Sequence, residues 1–149
     1  TLEPDEVESV LAHELGHYHK KHILKSIIKS ILISLVGFYI LKNLYNWLPF
    51  YLGHGARIPS DYMAILLFSL VSGIYTFFLT PINSWISRKN EFEADEFAAK
   101  NASAPKLISA LLKLYKDNAS TLTPDPLYSS YHYSHPPALE RVKFLEKLS

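Results

Sequence analysis

Two histidines four residues apart flank a glutamate in the run His13-Glu14-Leu15-Gly16-His17. On an α-helix this spacing turns the second imidazole by about 40° and lifts it by about 6 Å, so both rings reach one tetrahedral ion. Glu14 then stands beside the ion and not on it. From there it reaches a proton of a water whose pKa the ion has lowered to about 7. This is the H-E-x-x-H pattern of zinc-dependent hydrolysis. A chain of this composition would carry the pattern by chance about once in fifty, so it needs independent support.

A hydrolytic zinc takes three protein ligands and leaves a fourth position open. One class of site puts a third histidine six residues after the second, with a glycine three residues after it. Those positions hold Ile23 and Lys20, which excludes that class. His22 falls one residue early and is expected to point elsewhere. The other class draws a glutamate from a later helix, and Glu91-Phe92-Glu93-Ala94-Asp95 offers one. Glu91 and Asp95 share a helix face while Glu93 points away. One of the two facing carboxylates can bind the ion and the other can orient a ligand histidine through its free ring N–H. On its own such a cluster is a solvated acidic face; beside the first motif, the ligand reading is favoured.

The totals narrow the remaining options. No cysteine is present, which removes disulfide scaffolds, thiol catalysis and cysteine-rich metal sites. Fifteen basic residues against fourteen acidic ones give a net charge near +1, so no basic field points to nucleic acid. A chain of 149 residues is expected to form one catalytic unit. It begins at Thr1 with no charged-then-apolar leader, and reads as part of something longer.

Helices must position these residues, and an all-α fold is expected. Over residues 4–22 the apolar Val7, Val10, Leu11, Leu15 and Tyr18 recur at steps of three and four, and Pro4 suits a first turn. Residues 23–45 are strongly apolar apart from Lys25, Lys29 and Lys42; lysines near one end reach back to a membrane surface, so a span is expected. Residues 62–86 carry no charge and would form about 37 Å of helix against a hydrocarbon core of about 30 Å. Pro81 is expected to kink or open this second span. A buried core helix of a soluble bundle is the alternative. Residues 47–60 read as a short hairpin loop, with Trp47, Phe50 and Tyr51 as interfacial anchors.

Residues 87–100 read as the helix of the third ligand. Residues 105–149 form a C-terminal helical segment with Leu107, Leu111 and Leu114 on one face, a Pro/Ser/Tyr-rich loop, and a last helix striped by Leu139, Val142, Leu145 and Leu148. Lys20, Lys21, Lys25 and Lys29 flank one span, and Arg88 and Lys89 the other, whereas the hairpin carries only Lys42 and Arg57. The positive-inside rule therefore puts the polar segments on the cytosolic side. There the acceptor-type triplets at Asn101 and Asn118 would stay unglycosylated.

The runs 12–17, 87–95 and 125–141, the last containing Tyr131-His132-Tyr133-Ser134-His135-Pro136, together resemble the eukaryotic zinc CAAX prenyl proteases. The first two runs are shared with bacterial and mitochondrial membrane metalloproteases, and the third is similar to the prenyl protease branch alone. The resemblance implies one zinc per chain held by His13, His17 and Glu91, with Glu14 as base and Asp95 behind a ligand. It implies further membrane helices N-terminal to Thr1 enclosing a chamber, and residence in the endoplasmic reticulum or inner nuclear membrane.

His135 would then stand near the scissile carbonyl as an oxyanion donor, with capping of the last helix as its structural alternative. Arg141 lies off the apolar stripe and either pairs with a site carboxylate or is solvated. His132 either faces the site or bonds a loop, and His19 and His54 are expected to be ordinary surface or interface histidines. The implied reaction removes the last three residues of an isoprenylated CAAX protein, with the lipid bilayer as the other partner. A broad-specificity membrane quality-control protease, a non-catalytic zinc-binding scaffold and a soluble zinc peptidase are the rivals.

Overall fold

A computed structural model describes residues 1–117 and 124–149, so the Asn118 triplet lies outside the described residues. Their regular structure is all helix, with no strand among them, as the periodicity leads one to expect. The order is α1 (Pro4–His19), α2 (His22–Tyr45), α3 (Leu48–Gly53), α4 (Asp61–Asn101), α5 (Ala104–Asp117), α6 (Pro126–His132) and α7 (Ala138–Glu146). The chain divides into two compact units, one of Thr1–Ile23 with Thr80–Ser149 and one of Leu24–Leu79.

In the first unit α5 packs against α1 and α7 around Ala12, Ala98, Ala104, Leu107, Leu111 and Leu145. Pro4 opens α1, and the Glu6 carboxylate accepts a 2.7 Å hydrogen bond from the Glu3 N–H, satisfying one of the donors a helix start leaves free. The buried face of α1 is its small and polar one: Glu6, Ser9, Ala12, His13 and Gly16. Val7, Leu11, Leu15 and Tyr18, which gave the helix its apolar period, are exposed.

Gly16 explains this choice of face. A Cβ there would meet the Ala94 Cα at 3.0 Å, so glycine is what lets α1 lie against α4 beside the histidines. Helix α1 stops at His19, and Lys21 takes a left-handed φ of 56° before α2 starts at His22. Helix α1 thus ends three residues earlier than the apolar pattern suggested.

In the second unit Phe50, Tyr51, Ala56, Ala64 and Leu67 form a core joined by Leu41, Leu44, Met63 and Val71. The stretch expected as a loop contains α3. Of its three expected interfacial aromatics only Trp47 is exposed, whereas Phe50 and Tyr51 are buried. The reason is local: the Tyr51 hydroxyl donates to the Tyr45 carbonyl at 2.7 Å, so the ring can be covered without stranding its polar end. His54 Nδ1 likewise donates to the Phe50 carbonyl at 2.6 Å.

Helices α2 and α4 are both long and apolar enough to cross a membrane. Their apolar windows are 0 % and 11 % buried, the opposite of a soluble core helix. Pro81 sits inside α4 without ending it, so the span and the third-ligand segment belong to one helix.

Candidate metal centre

All residues of the candidate site belong to the first unit. His13, Glu14 and His17 come from α1, Glu91 and Asp95 from successive turns of α4, Arg141 from α7, and His135 from the segment before α7. The His13 and His17 Nε2 atoms are 3.3 Å apart. A Glu91 oxygen lies 3.6 Å from the first and the other lies 3.4 Å from the second. Donors about 2.0–2.1 Å from one tetrahedral ion stand about 3.3 Å apart, which is the separation of the two imidazoles in this triangle, and Glu91 offers a separate oxygen to each of them. These three residues form the potential metal-holding group among the described residues.

Asp95, fully buried, lies 2.9 Å from His13 Nδ1 through Oδ1. A carboxylate can only accept here, so Nδ1 carries the proton and Nε2 presents its lone pair to the ion position. Between Glu91 and Asp95, which the spacing left as alternatives, the geometry puts Glu91 at the triangle and Asp95 behind it.

Arg141 holds Asp95 from the other side in a two-pronged pair, Nε to Oδ2 at 2.8 Å and Nη2 to Oδ1 at 2.6 Å. Its Nη1 is 3.4 Å from Glu91. Of the two readings of Arg141, pairing is the one realised, and the residue is buried. Position on a stripe of leucines says nothing of this, because the buried face of α7 includes Ala138 and Arg141 together with Leu145.

The electrostatics suit a cation. Burial pushes the Glu91 carboxyl up, but the hydrogen bond with His135 and the charge of Arg141 outweigh it and hold the group below the usual carboxylate range. Burial acts the same way on Asp95, where bonds from His13 and Arg141 win. Desolvation works against the Arg141 charge too, and Asp95 more than compensates. Burial lowers the His17 imidazole despite the pull of Glu91. An ionised Glu91 and a neutral His17 are the forms in which these groups bind metal.

His135 Nδ1 lies 3.1 Å from Glu91, and this bond raises the imidazole above its ordinary value. The exposed ring is presented by a well-anchored segment. Tyr115 donates to the Pro136 carbonyl at 3.2 Å, and Arg88 Nη1 donates to the carbonyls of Ser129, Ser130 and Tyr133 at 2.8–3.2 Å. Arg88, read from sequence only as a topology charge, thus closes the end of α6. His132 meets the rings of Tyr128 and Tyr131 at tilted angles, with centroids 4.5 and 4.6 Å away, and is not among the residues lining the cleft that opens onto the triangle. His19 packs on Phe97.

A cleft of about 380 Å³ opens onto the triangle. Val10, Ile23, Leu107, Leu111 and Leu114 form its apolar wall, with Glu14, His135 and Arg141 as its polar members. Glu14 is exposed, at the side of the triangle and outside it. Spacing alone missed His22 and Glu93: His22 Nδ1 is 3.0 Å from His17 Nδ1, and its Nε2 is 3.2 Å from Glu93.

The whole chain, residues 1–149, matches the peptidase family M48. It belongs to that family. Among similar proteins, CAAX prenyl protease 1 of Saccharomyces cerevisiae is 37% identical over 160 residues, covering 97% of this chain and 35% of the relative. The human CAAX prenyl protease 1 homolog is 39% identical over 150 residues, covering 97% of this chain and 31% of the relative. The crystal structure of S. mikatae Ste24p superposes with a TM-score of 0.82 at 33% identity, over 93% of this chain and 36% of that one. The chain therefore spans about a third of the length of these M48 relatives.

Proposed function

We propose that this chain is the catalytic part of a zinc metalloendopeptidase that removes the C-terminal tripeptide from isoprenylated CAAX proteins. The observation carrying the reading is the triangle of His13, His17 and Glu91, whose donor atoms lie within 4.8 Å of one another, with Glu14 at its side. The names of the similar M48 proteases support the substrate class.

Two imidazoles and one carboxylate form a donor set that zinc uses in hydrolytic sites. Bound there, zinc would supply Lewis acidity, polarising the scissile carbonyl and acidifying a water. Glu14 takes the proton of that water and returns it to the departing amine. His135 donates a hydrogen bond to the oxyanion of the tetrahedral intermediate. The following Pro136 restricts its backbone, which limits its wandering. Asp95 and Arg141 fix His13 and Glu91 in place. The apolar wall of the cleft receives the aliphatic residues of a CAAX terminus.

Helices α2 and α4 would hold the site beside the bilayer into which a prenyl chain partitions. Their basic flanks support a cytosolic placement in the endoplasmic reticulum or inner nuclear membrane.

The test uses the intact protein in detergent, a farnesylated CAAX peptide and its unprenylated twin, with mass spectrometry to locate the cut. Cleavage after the farnesyl-cysteine, lost in Glu14→Gln with zinc retained, is expected. Equal cleavage of both peptides would replace this reading with a broad-specificity membrane protease. Zinc binding without cleavage in the unaltered protein would leave a scaffold.

A further inference from the structure

His22 and Glu93 are tied to the metal triangle in a chain, although neither is one of its three members. His22 is buried, and the ring of His17 meets it edge-on at 5.1 Å. Side chains five apart on an unbroken helix diverge by about 140°. They converge here because α1 ends at His19 and Lys21 adopts the left-handed φ of 56°, which residues with a Cβ seldom enter. The break in the backbone therefore puts the His22 ring against the outer nitrogen of a ligand histidine.

The hydrogen bonds of this chain run in one direction. The Glu93 carboxylate can only accept, so the N–H of the 3.2 Å link is on His22 Nε2, and a neutral His22 keeps its lone pair at Nδ1. That lone pair accepts the Nδ1–H of His17 across 3.0 Å. The lone pair of His17 is then at Nε2, the atom facing His13 and Glu91. With the opposite tautomer an N–H would point into the ion position. His13 receives the same instruction from Asp95 directly.

We propose that Glu93 and His22 form a positioning relay for the metal site, Glu93 setting the tautomer of His22 and His22 that of His17. The inference rests on His13, His17 and Glu91 being the zinc ligands. Each histidine ligand then has a carboxylate behind it, Asp95 for His13 and, through one further imidazole, Glu93 for His17. Such outer partners raise ligand basicity and fix ring orientation.

The experiment measures the zinc dissociation constant of the intact detergent-purified protein by competition with a chelating dye. The visible spectrum of the cobalt-substituted protein and apo-protein thermal unfolding are recorded alongside. His22→Ala and Glu93→Leu are each expected to weaken zinc binding by about tenfold or more. Their combination should be no weaker than His22→Ala alone, because both cut the same chain. Glu93→Gln, which still offers an amide oxygen to His22, should recover most of the affinity, and Lys89→Ala should leave it unchanged.

Zinc affinity of His22→Ala and Glu93→Leu within about twofold of the unaltered protein, with only the apo unfolding temperature lowered, would overturn the relay in favour of simple packing. His17→Ala separates the two levels of the argument. If it retains zinc at full strength, the ligand assignment has failed; if it abolishes zinc while His22→Ala does not weaken it, the relay alone has failed.

Discussion

The unit of Thr1–Ile23 and Thr80–Ser149 hides charge, and the unit of Leu24–Leu79 displays grease. In the first, Glu6, Glu91, Asp95 and Arg141 are buried while Val7, Leu11 and Leu15 lie outside. In the second, a small core of Phe50, Tyr51, Ala64 and Leu67 is surrounded by exposed Ile33, Leu35, Ile65 and Ile74. Taking an ion out of water costs several kcal/mol even in a relaxed protein, and pairing it only returns the loss. Buried charges are therefore poor glue, and the first unit keeps them for what they hold. The second unit is the reverse case: most of its residues lie in helices, whose backbone groups pair internally, and most of its apolar side chains face outward, an arrangement that suits lipid. The buried charges thus belong to the first unit and most of the exposed apolar helix surface to the second.

The sharpest way to break this division is at the base. Glu14→Gln should lower turnover by about 10²–10⁴-fold while leaving zinc content and unfolding temperature near those of the unaltered protein, because Glu14 is exposed and outside the ion pairs. A parallel fall in zinc content would show that Glu14 holds the site together instead. Arg141→Ala tests the buried pairs themselves. It leaves Asp95 with the His13 N–H alone and removes a positive neighbour of Glu91, so a loss of about 3 kcal/mol in stability is expected. Arg141→Lys should recover only part of it, since an ammonium cannot reproduce the two parallel bonds to Asp95. Chemical denaturation of the apo-protein distinguishes the two variants.

What could be read from the sequence followed the range of the interaction. His13 and His17, or Glu91 and Asp95, are four residues apart on one helix, so their shared face follows from helical geometry alone. The length of α4 past its lipid-like stretch was not legible, because Pro81 and the polar residues after it resemble an end. Partner choice across elements was less legible still. Nothing local says that Arg141 meets Asp95, or that Arg88 closes α6. His22 reaches His17 only through the turn at Lys21, and counting residues along a continuous helix sends it the wrong way. The exposed apolar face of α1 gave the period that identified the helix, yet Gly16, a residue with no side chain, decides which face packs.

Gly16 therefore offers a smaller and more local test. Its missing Cβ would sit 3.0–3.1 Å from the Ala94 backbone and the Phe97 Cβ, and a helix backbone does not yield as a flexible side chain does. Gly16→Ala should cost about 1–3 kcal/mol and, by prying α1 from α4, weaken zinc binding as well. In the other unit, Tyr51→Phe removes the hydroxyl that donates to the Tyr45 carbonyl and should cost about 1 kcal/mol without any change in zinc affinity. If Tyr51→Phe altered zinc affinity as much as Gly16→Ala, the separation of roles between the units would be lost.

The mildest perturbation concerns acid. The Lys113 ammonium, 2.7 Å from the Glu6 carboxylate, together with Ser109 and the Glu3 N–H, lowers the Glu6 pKa to about 2. An unfolded glutamate titrates near about 4.3. The folded value is the lower one, so the unfolded chain binds the proton more readily. The contribution of Glu6 to stability is complete above the unfolded value and drains away as pH falls through the interval down to about 2. Because Glu6 joins α1 to α5, its protonation should loosen the helix that carries His13 and His17. Following the unfolding temperature across that interval, Glu6→Gln should start lower and fall less steeply, and Lys113→Met should shift the fall to higher pH. A curve in Glu6→Gln as steep as in the unaltered protein would assign the acid sensitivity to the carboxylates of the metal site instead.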